Sequence, residues 1–204
     1  MTRVDFGFDA ATVVPLPGAD LGSGDVEAWA AEAAARMAGL HDLPPQETEV
    51  LARALARAQR SAASDPGTNL LTFEPATWSW APLRLTLADW EPDAEEQRRY
   101  LWPPSVLAPR IRPARSAGLG EGCSVTLMDE DGRGVVRWLF MTTGASFFAV
   151  LGPLDPAAIA LSAARVEDLL DTVRIDGAPW TPSGLLDVPA LVQSAQDPEG
   201  LWRV

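Results

Sequence analysis

Residues 123–129 and 134–142 are two runs of β-forming side chains, CSVTLMD and GVVRWLFMT, and Asp131-Gly132 stands between them. Asp-Gly is a favoured turn pair for a hairpin, because both residues tolerate the left-handed backbone that a tight reversal demands. A third run, SFFAVLG at 146–152, follows directly after Gly144. Strands joined this closely pair antiparallel, since a parallel pair needs a crossover of a dozen residues or more. The centre of the chain is therefore committed to an antiparallel sheet.

The flanking segments supply more strands and the helices that cover them. Residues 3–16 alternate loosely around Val4, Phe6, Phe8, Val13 and Val14 and read as one or two strands. After a Gly-rich loop, Asp25 is placed to cap a helix whose apolar positions are Val26, Trp29, Ala30, Ala33, Met37 and Leu40, with Gly39 as its stop. A second helix starts near Pro44 and Pro45, carries Val50, Leu51, Ala54, Leu55, Ala58 and Ala62, and ends in the turn Ser64-Asp65-Pro66-Gly67. Residues 68–74 and 83–90 read as strands. Asp93 to Tyr100 reads as a short helix, acidic at its start and basic at its end. Residues 106–116 are extended but interrupted by Pro109 and Pro113, which predicts an edge strand or a loop. Val166, Leu169, Leu170 and Val173 mark a last amphipathic helix. From Gly177 the chain is Pro-rich, carries Trp180 and Trp202, and reads as an arm docked on the domain, with a short helix around 188–195. The expectation is one α+β domain over 1–176, an antiparallel sheet with helices packed on it, and a C-terminal arm over 177–204.

Composition narrows the function classes. Among 204 residues the formal net charge is −12, and all 16 basic residues are Arg. Such a charge repels nucleic acid and anionic membranes. No stretch has the roughly 18 apolar residues of a membrane-spanning helix, and the N-terminus has no apolar run of signal-peptide type. The single cysteine, Cys123, excludes an internal disulfide. A cytoplasmic protein is expected, with no cofactor.

Catalytic patterns are sparse. Any imidazole mechanism rests on His41, the only histidine, which lies between two helices in a connection expected to be exposed. One His and one Cys leave no ordinary zinc set. Cys123 begins a strand with no base near it in sequence and reads as a buried small residue. The loop from Gly18 to Gly24 precedes a helix but lacks the Walker lysine and the dinucleotide spacing, and Asp20 and Asp25 would repel a phosphate. Asp129, Glu130 and Asp131 sit at a turn without the ligand run of a calcium loop. No pair stands out among the 28 carboxylates.

Two features point to a binding surface. Between Glu96 and Glu121 there is no acidic residue, yet Arg98, Arg99, Arg110, Arg112 and Arg115 fall there, and Arg110 and Arg112 share one face of an extended segment. Four of the eight tryptophans lie between 78 and 102. Trp78 and Trp80 alternate with Ser79 and face away from Leu83, Leu85 and Leu87. Tryptophan beside arginine is the usual composition of an interface hot spot. Trp78, Trp80, Trp102 and these five arginines are the candidate partner-binding residues.

The second half also carries a pattern. The strands VVRWLFMTT and ASFFAVLG, followed by an apolar helix ending LLDTVRI, resemble the Mog/PsbP-like α/β/α sandwich family, which includes small actinobacterial proteins of unassigned role. The likeness runs from Gly134 to Ile175, about a fifth of the chain, and consists of a strand–strand–helix order without a signature residue. It implies a non-enzymatic binding or accessory protein and carries over no functional residue. The leading expectation is therefore a protein-interaction module of accessory or chaperone-like type, whose partner is another protein. The alternatives are an immunity-type inhibitor of a basic toxin and a hydrolase using carboxylates or the lone thiol.

Overall fold

The computed structural model describes residues 2–103, 109–181, 184 and 186–196, with the backbone alone at 194–196. In chain order the elements are β1 (Val4–Asp5), β2 (Val13–Pro15), α1 (Val26–His41), α2 (Pro45–Ala62), β3 (Thr68–Glu74), β4 (Ser79–Ala88), α3 (Ala94–Leu101), β5 (Arg110–Ser116), β6 (Gly120–Met128), β7 (Gly134–Thr142), β8 (Ala145–Leu154), α4 (Pro156–Asp171), β9 (Arg174–Ile175) and α5 (Val188–Gln196). Seven strands make one antiparallel sheet in the order β2-β3-β4-β8-β7-β6-β5, while β1 and β9 pair separately. The chain is an α+β protein.

The two faces of the sheet follow from strand alternation. On one face Leu70, Leu83, Leu85, Trp138, Phe140, Phe147 and Leu151 pack against Ala158, Val166, Leu169 and Leu170 of α4. Each of these large apolar side chains contributes about 1.5–3 kcal/mol by leaving water. The other face carries two separate covers. Leu71 and Phe73 lie under α1 and α2, where Ala30, Ala33 and Ala34 let the helix approach closely. Ile111, Cys123, Val125, Leu127, Leu139 and Met141 lie under α3 and α5. Over β8 the same face is met by α3, where Tyr100 packs edge-on to Phe148 at 4.9 Å.

Several local features differ from the sequence expectation. The strand expected at 83–90 begins four residues earlier, at Ser79, and contains Pro82. Proline is tolerated because the β4–β8 ladder ends at Leu83↔Leu151, so Pro82 has no bond to donate on that side. Gly39 does not stop α1, which continues to His41 and ends at Asp42 in the left-handed region. Asp25 holds the cap position, but its side chain makes no capping hydrogen bond. The Asp131-Gly132 hairpin is not a two-residue turn. Asp129 and Arg133 close it, Gly132 donates to the Asp129 carbonyl, and only Gly132 has a positive φ. That is the longer hairpin loop with glycine in the left-handed position.

The helix near 93–100 is bounded as expected. Asp93 accepts from the amides of Glu95 and Glu96, and Glu96 reaches back to the Asp93 amide. β5 is the edge strand expected near 106–116, with 106–108 outside the described residues. Trp180 donates its amide to the Gly118 carbonyl and packs edge-on to Phe147, and α5 lies against Ile111 and its neighbours. Trp202 lies outside the described residues.

Candidate functional site

The ladder end at Pro82 shapes the most distinctive surface. β8 bulges there: β7 residues 134 and 136 oppose β8 residues 154 and 151, so Gly152 and Pro153 are carried out of the sheet. Gly152 has φ 112, and a Cβ on it would stand 2.6 Å from the Gly134 carbonyl oxygen, so only glycine fits the bulge. Where β4 and β8 part, an open hollow of about 560 Å³ forms between them and α2. Its wall includes Trp80, Pro82, Val150 and Pro153, and its charged groups are Arg57 from α2, Arg84 from β4, Arg133 from the β6–β7 loop and Asp65. A second hollow of about 490 Å³, bordered by Trp78, Ser79 and Asp155, shares Trp80, Arg133 and Pro153 with the first. The two hollows adjoin across these three residues and are together called the trough below.

Trp78 lines the second hollow. The residue closes the β3–β4 turn with φ 52, a conformation that costs a bulky side chain about 1–3 kcal/mol. It is 49% exposed. Phe73 supports both tryptophans, with Trp78 edge-on at 5.7 Å and Trp80 stacked at 4.3 Å between ring centroids. Trp78 therefore does not alternate with Trp80 along a strand. The pair meets through the turn and a shared phenylalanine.

The arginines of the trough are only partly engaged. Arg84 meets Asp65 at 3.4 Å, and both are exposed. Arg133 reaches Asp129 at 3.8 Å. Arg57 makes no hydrogen bond or ion pair among the described residues. Three arginines against one aspartate in the larger hollow set a positive field on a chain of net charge −12. A fourth arginine of this face, Arg137, serves as a strut. Its Nη1 donates to the Tyr100 carbonyl at 2.6 Å and its guanidinium lies 5.3 Å from the Tyr100 ring. The Tyr100 hydroxyl, pushed up in pKa by burial, lies 3.1 Å from the Ala149 carbonyl.

The other arginines named from the sequence lie elsewhere. Arg110 and Arg112 do share one face of β5, as expected, but it is the face opposite Trp80 and four strands away, about 19 Å at ordinary strand spacing. Arg115 points to the other side and pairs with Glu121 at 3.3 Å. Arg99 pairs with Glu95 along α3. Arg98 borders a different hollow, and Trp102 is half-buried at the end of α3. The structure thus joins Trp78 and Trp80 and separates both from Trp102 and the five arginines. Arg57, Arg84 and Arg133 replace them. No sequence spacing connects these three; only the Asp-Gly loop beside Arg133 was marked in the sequence.

The hollow beside Arg98, about 790 Å³, lies between α3 and α5 over Met141 and Leu191, with Glu91, Asp93, Glu95 and Asp187 at its rim. Its carboxylates are occupied. Asp93 caps α3, Asp187 accepts from the Ala190 amide, Glu91 accepts from the Gly144 amide and Glu95 pairs with Arg99.

The two single-copy reactive residues are far apart. His41 is not in an exposed connection: it ends α1, half-buried, with Nε2 2.5 Å from the Ala11 carbonyl oxygen and its ring edge-on to Phe73 at 4.9 Å. Cys123 is fully buried in β6, and burial pushes its thiol up to about 12. Three strands separate β3 from β6, so thiol and imidazole stand about 19 Å apart at strand spacing. Among the described residues no three His, Cys, Asp or Glu side chains form a metal-binding group, and no helix is long and apolar enough to cross a membrane. Comparison with family models, curated proteins and solved structures returned no match.

Proposed function

We propose that the chain is a protein-interaction module whose docking surface is the trough at Trp78 and Trp80. The observation that carries this reading is Trp78 itself. A large aromatic stays half in water on a turn position that glycine would occupy with less strain. Backbone strain at an exposed aromatic is a recurrent mark of a functional position. A tryptophan on the wall of an arginine-bearing hollow has the make-up of a hot spot, where a few aromatic and Arg contacts dominate affinity. The reading of an inhibitor for a basic protein would use the hollow between α3 and α5, but there the carboxylates already serve the fold. A thiol hydrolase would need Cys123 as thiolate, and burial opposes that.

The test is affinity capture from the native host with the wild-type chain and with Trp78→Gly. Trp78→Gly relieves the positive φ and loses the edge contact with Phe73, two effects of about 1 kcal/mol that oppose each other. The fold is therefore retained, while specific partners are lost from the captured set. An identical captured set from both proteins would remove the basis of the reading.

A further inference from the structure

We infer that the trough takes an extended, acidic polypeptide segment of the partner, a refinement that rests on the docking reading above. Shape comes first. Two open hollows of about 560 and 490 Å³ lie side by side and share Trp80, Arg133 and Pro153. Two adjoining open hollows suit a length of chain laid across both better than a compact ligand, which is enclosed on most sides when it binds. An aromatic-lined groove is the surface on which extended, proline-containing segments dock, because they lose little conformational freedom.

Charge comes second. Arg57 has no anionic partner among the described residues, the Arg133–Asp129 approach is long at 3.8 Å, and Arg84 shares an exposed Asp65. Guanidinium groups in this state bind carboxylates with charge-assisted, often paired hydrogen bonds. The three come from α2, β4 and the β6–β7 loop and outnumber Asp65 and Asp155, the two carboxylates that line the hollows. The rest of the chain selects for a short acidic segment over a long polyanion. At physiological salt, charge is felt over about 8 Å. A peptide confined to the trough meets its arginines, whereas a nucleic acid strand extending past it meets the surface of a chain with net charge −12.

The test uses the full chain and a fluorescein-labelled ten-residue peptide of Glu, Pro and Ala, read by anisotropy. Its Gln-for-Glu and Lys-for-Glu counterparts and a labelled ten-nucleotide single strand complete the set. The Glu peptide is expected to bind about tenfold more tightly than the Gln peptide, and the Lys peptide to fail. Binding of the Glu peptide weakens on going from low to high salt. Arg57→Ala, Arg84→Ala and Arg133→Ala each weaken it about two- to fivefold, the effect of one exposed charge pair. Circular dichroism establishes that each variant is folded. Equal binding of the Glu and Gln peptides, tighter binding of the oligonucleotide, or no binding of any peptide overturns the acidic-segment assignment. Each of those results leaves the docking reading standing if Trp78→Gly still changes the captured set.

Discussion

Replacing Arg165 by alanine strands a carboxylate. Glu74 ends β3 with its side chain 2% exposed, on the sheet face that α4 covers, and Arg165 of α4 donates from Nε to it at 2.6 Å. The Ala76 amide donates a further bond at 3.1 Å. Glu74 is held below its ordinary pKa chiefly by the Arg165 hydrogen bond, against the upward pull of burial. The two substitutions are unequal because Arg165 is 42% exposed. Glu74→Gln frees a guanidinium that returns to water and costs about 2 kcal/mol, the value of a charged hydrogen bond. Arg165→Ala leaves a buried carboxylate with one amide partner and costs about 3 kcal/mol at pH 7. Because the folded-state pKa is depressed, the pair contributes fully above about pH 4.5 and its contribution fades as the pH falls through the lower folded value. Protonated Glu74 no longer requires its cation, so the gap between the two variants closes in acid. Urea denaturation at neutral and acid pH measures both, with an unchanged slope as the check on two-state behaviour. The reasoning is refuted if Glu74→Gln is as damaging as Arg165→Ala at pH 7, or if the gap is independent of pH.

Two further outcomes test the packing. Gly118→Ala places a Cβ 2.1 Å from the Val173 carbonyl oxygen and is expected to cost about 3 kcal/mol, whereas Gly39→Ala, in an exposed turn of α1 with nothing within 4 Å, is expected to gain about 1 kcal/mol; thermal unfolding of the pair reads both signs. Cys123 is expected to resist iodoacetamide near pH 8 in the native chain and to react fully in concentrated urea, because only the thiolate is nucleophilic and burial pushes this thiol up to about 12. Native labelling at the unfolded rate would show that β6 is open.

The antiparallel core was legible in the sequence because its information is local. The runs at 123–152 alternate, their turns carry Gly132 and Gly144, and the resulting strands differ from expectation by a few residues. Helix boundaries were less legible. Gly39 is an ordinary stop signal, but the contacts of His41 with Ala11 and Phe73, 30 and 32 positions away, hold one more half-turn of α1. The proposed docking surface was half legible. Tryptophan density marked Trp78 and Trp80, whereas the arginine cluster at 98–115 was dispersed because strand order places β5 at the far edge from β4. Arg57, Arg84 and Arg133 come from three elements that meet only after the sheet is assembled, and nothing in their spacing announces it.

The order β2-β3-β4-β8-β7-β6-β5 also bears on how the chain folds. From β5 to β8 every strand pairs with its predecessor, and β3 pairs with β4, so each of these runs can zip from its own turns. β4 and β8 are the seam at which the two runs join, with about 60 residues between them in the chain, and non-local closure of that kind is the slow part of making a sheet. The trough lies over this seam. It has Pro82 and Arg84 from one side and Val150 and Pro153 from the other, and neither run possesses it alone. A molecule seated there binds only chains whose seam has closed. It therefore draws the folding equilibrium toward the native state by mass action, and a partner recognised at Trp78 would also act as a clasp that keeps the two halves together.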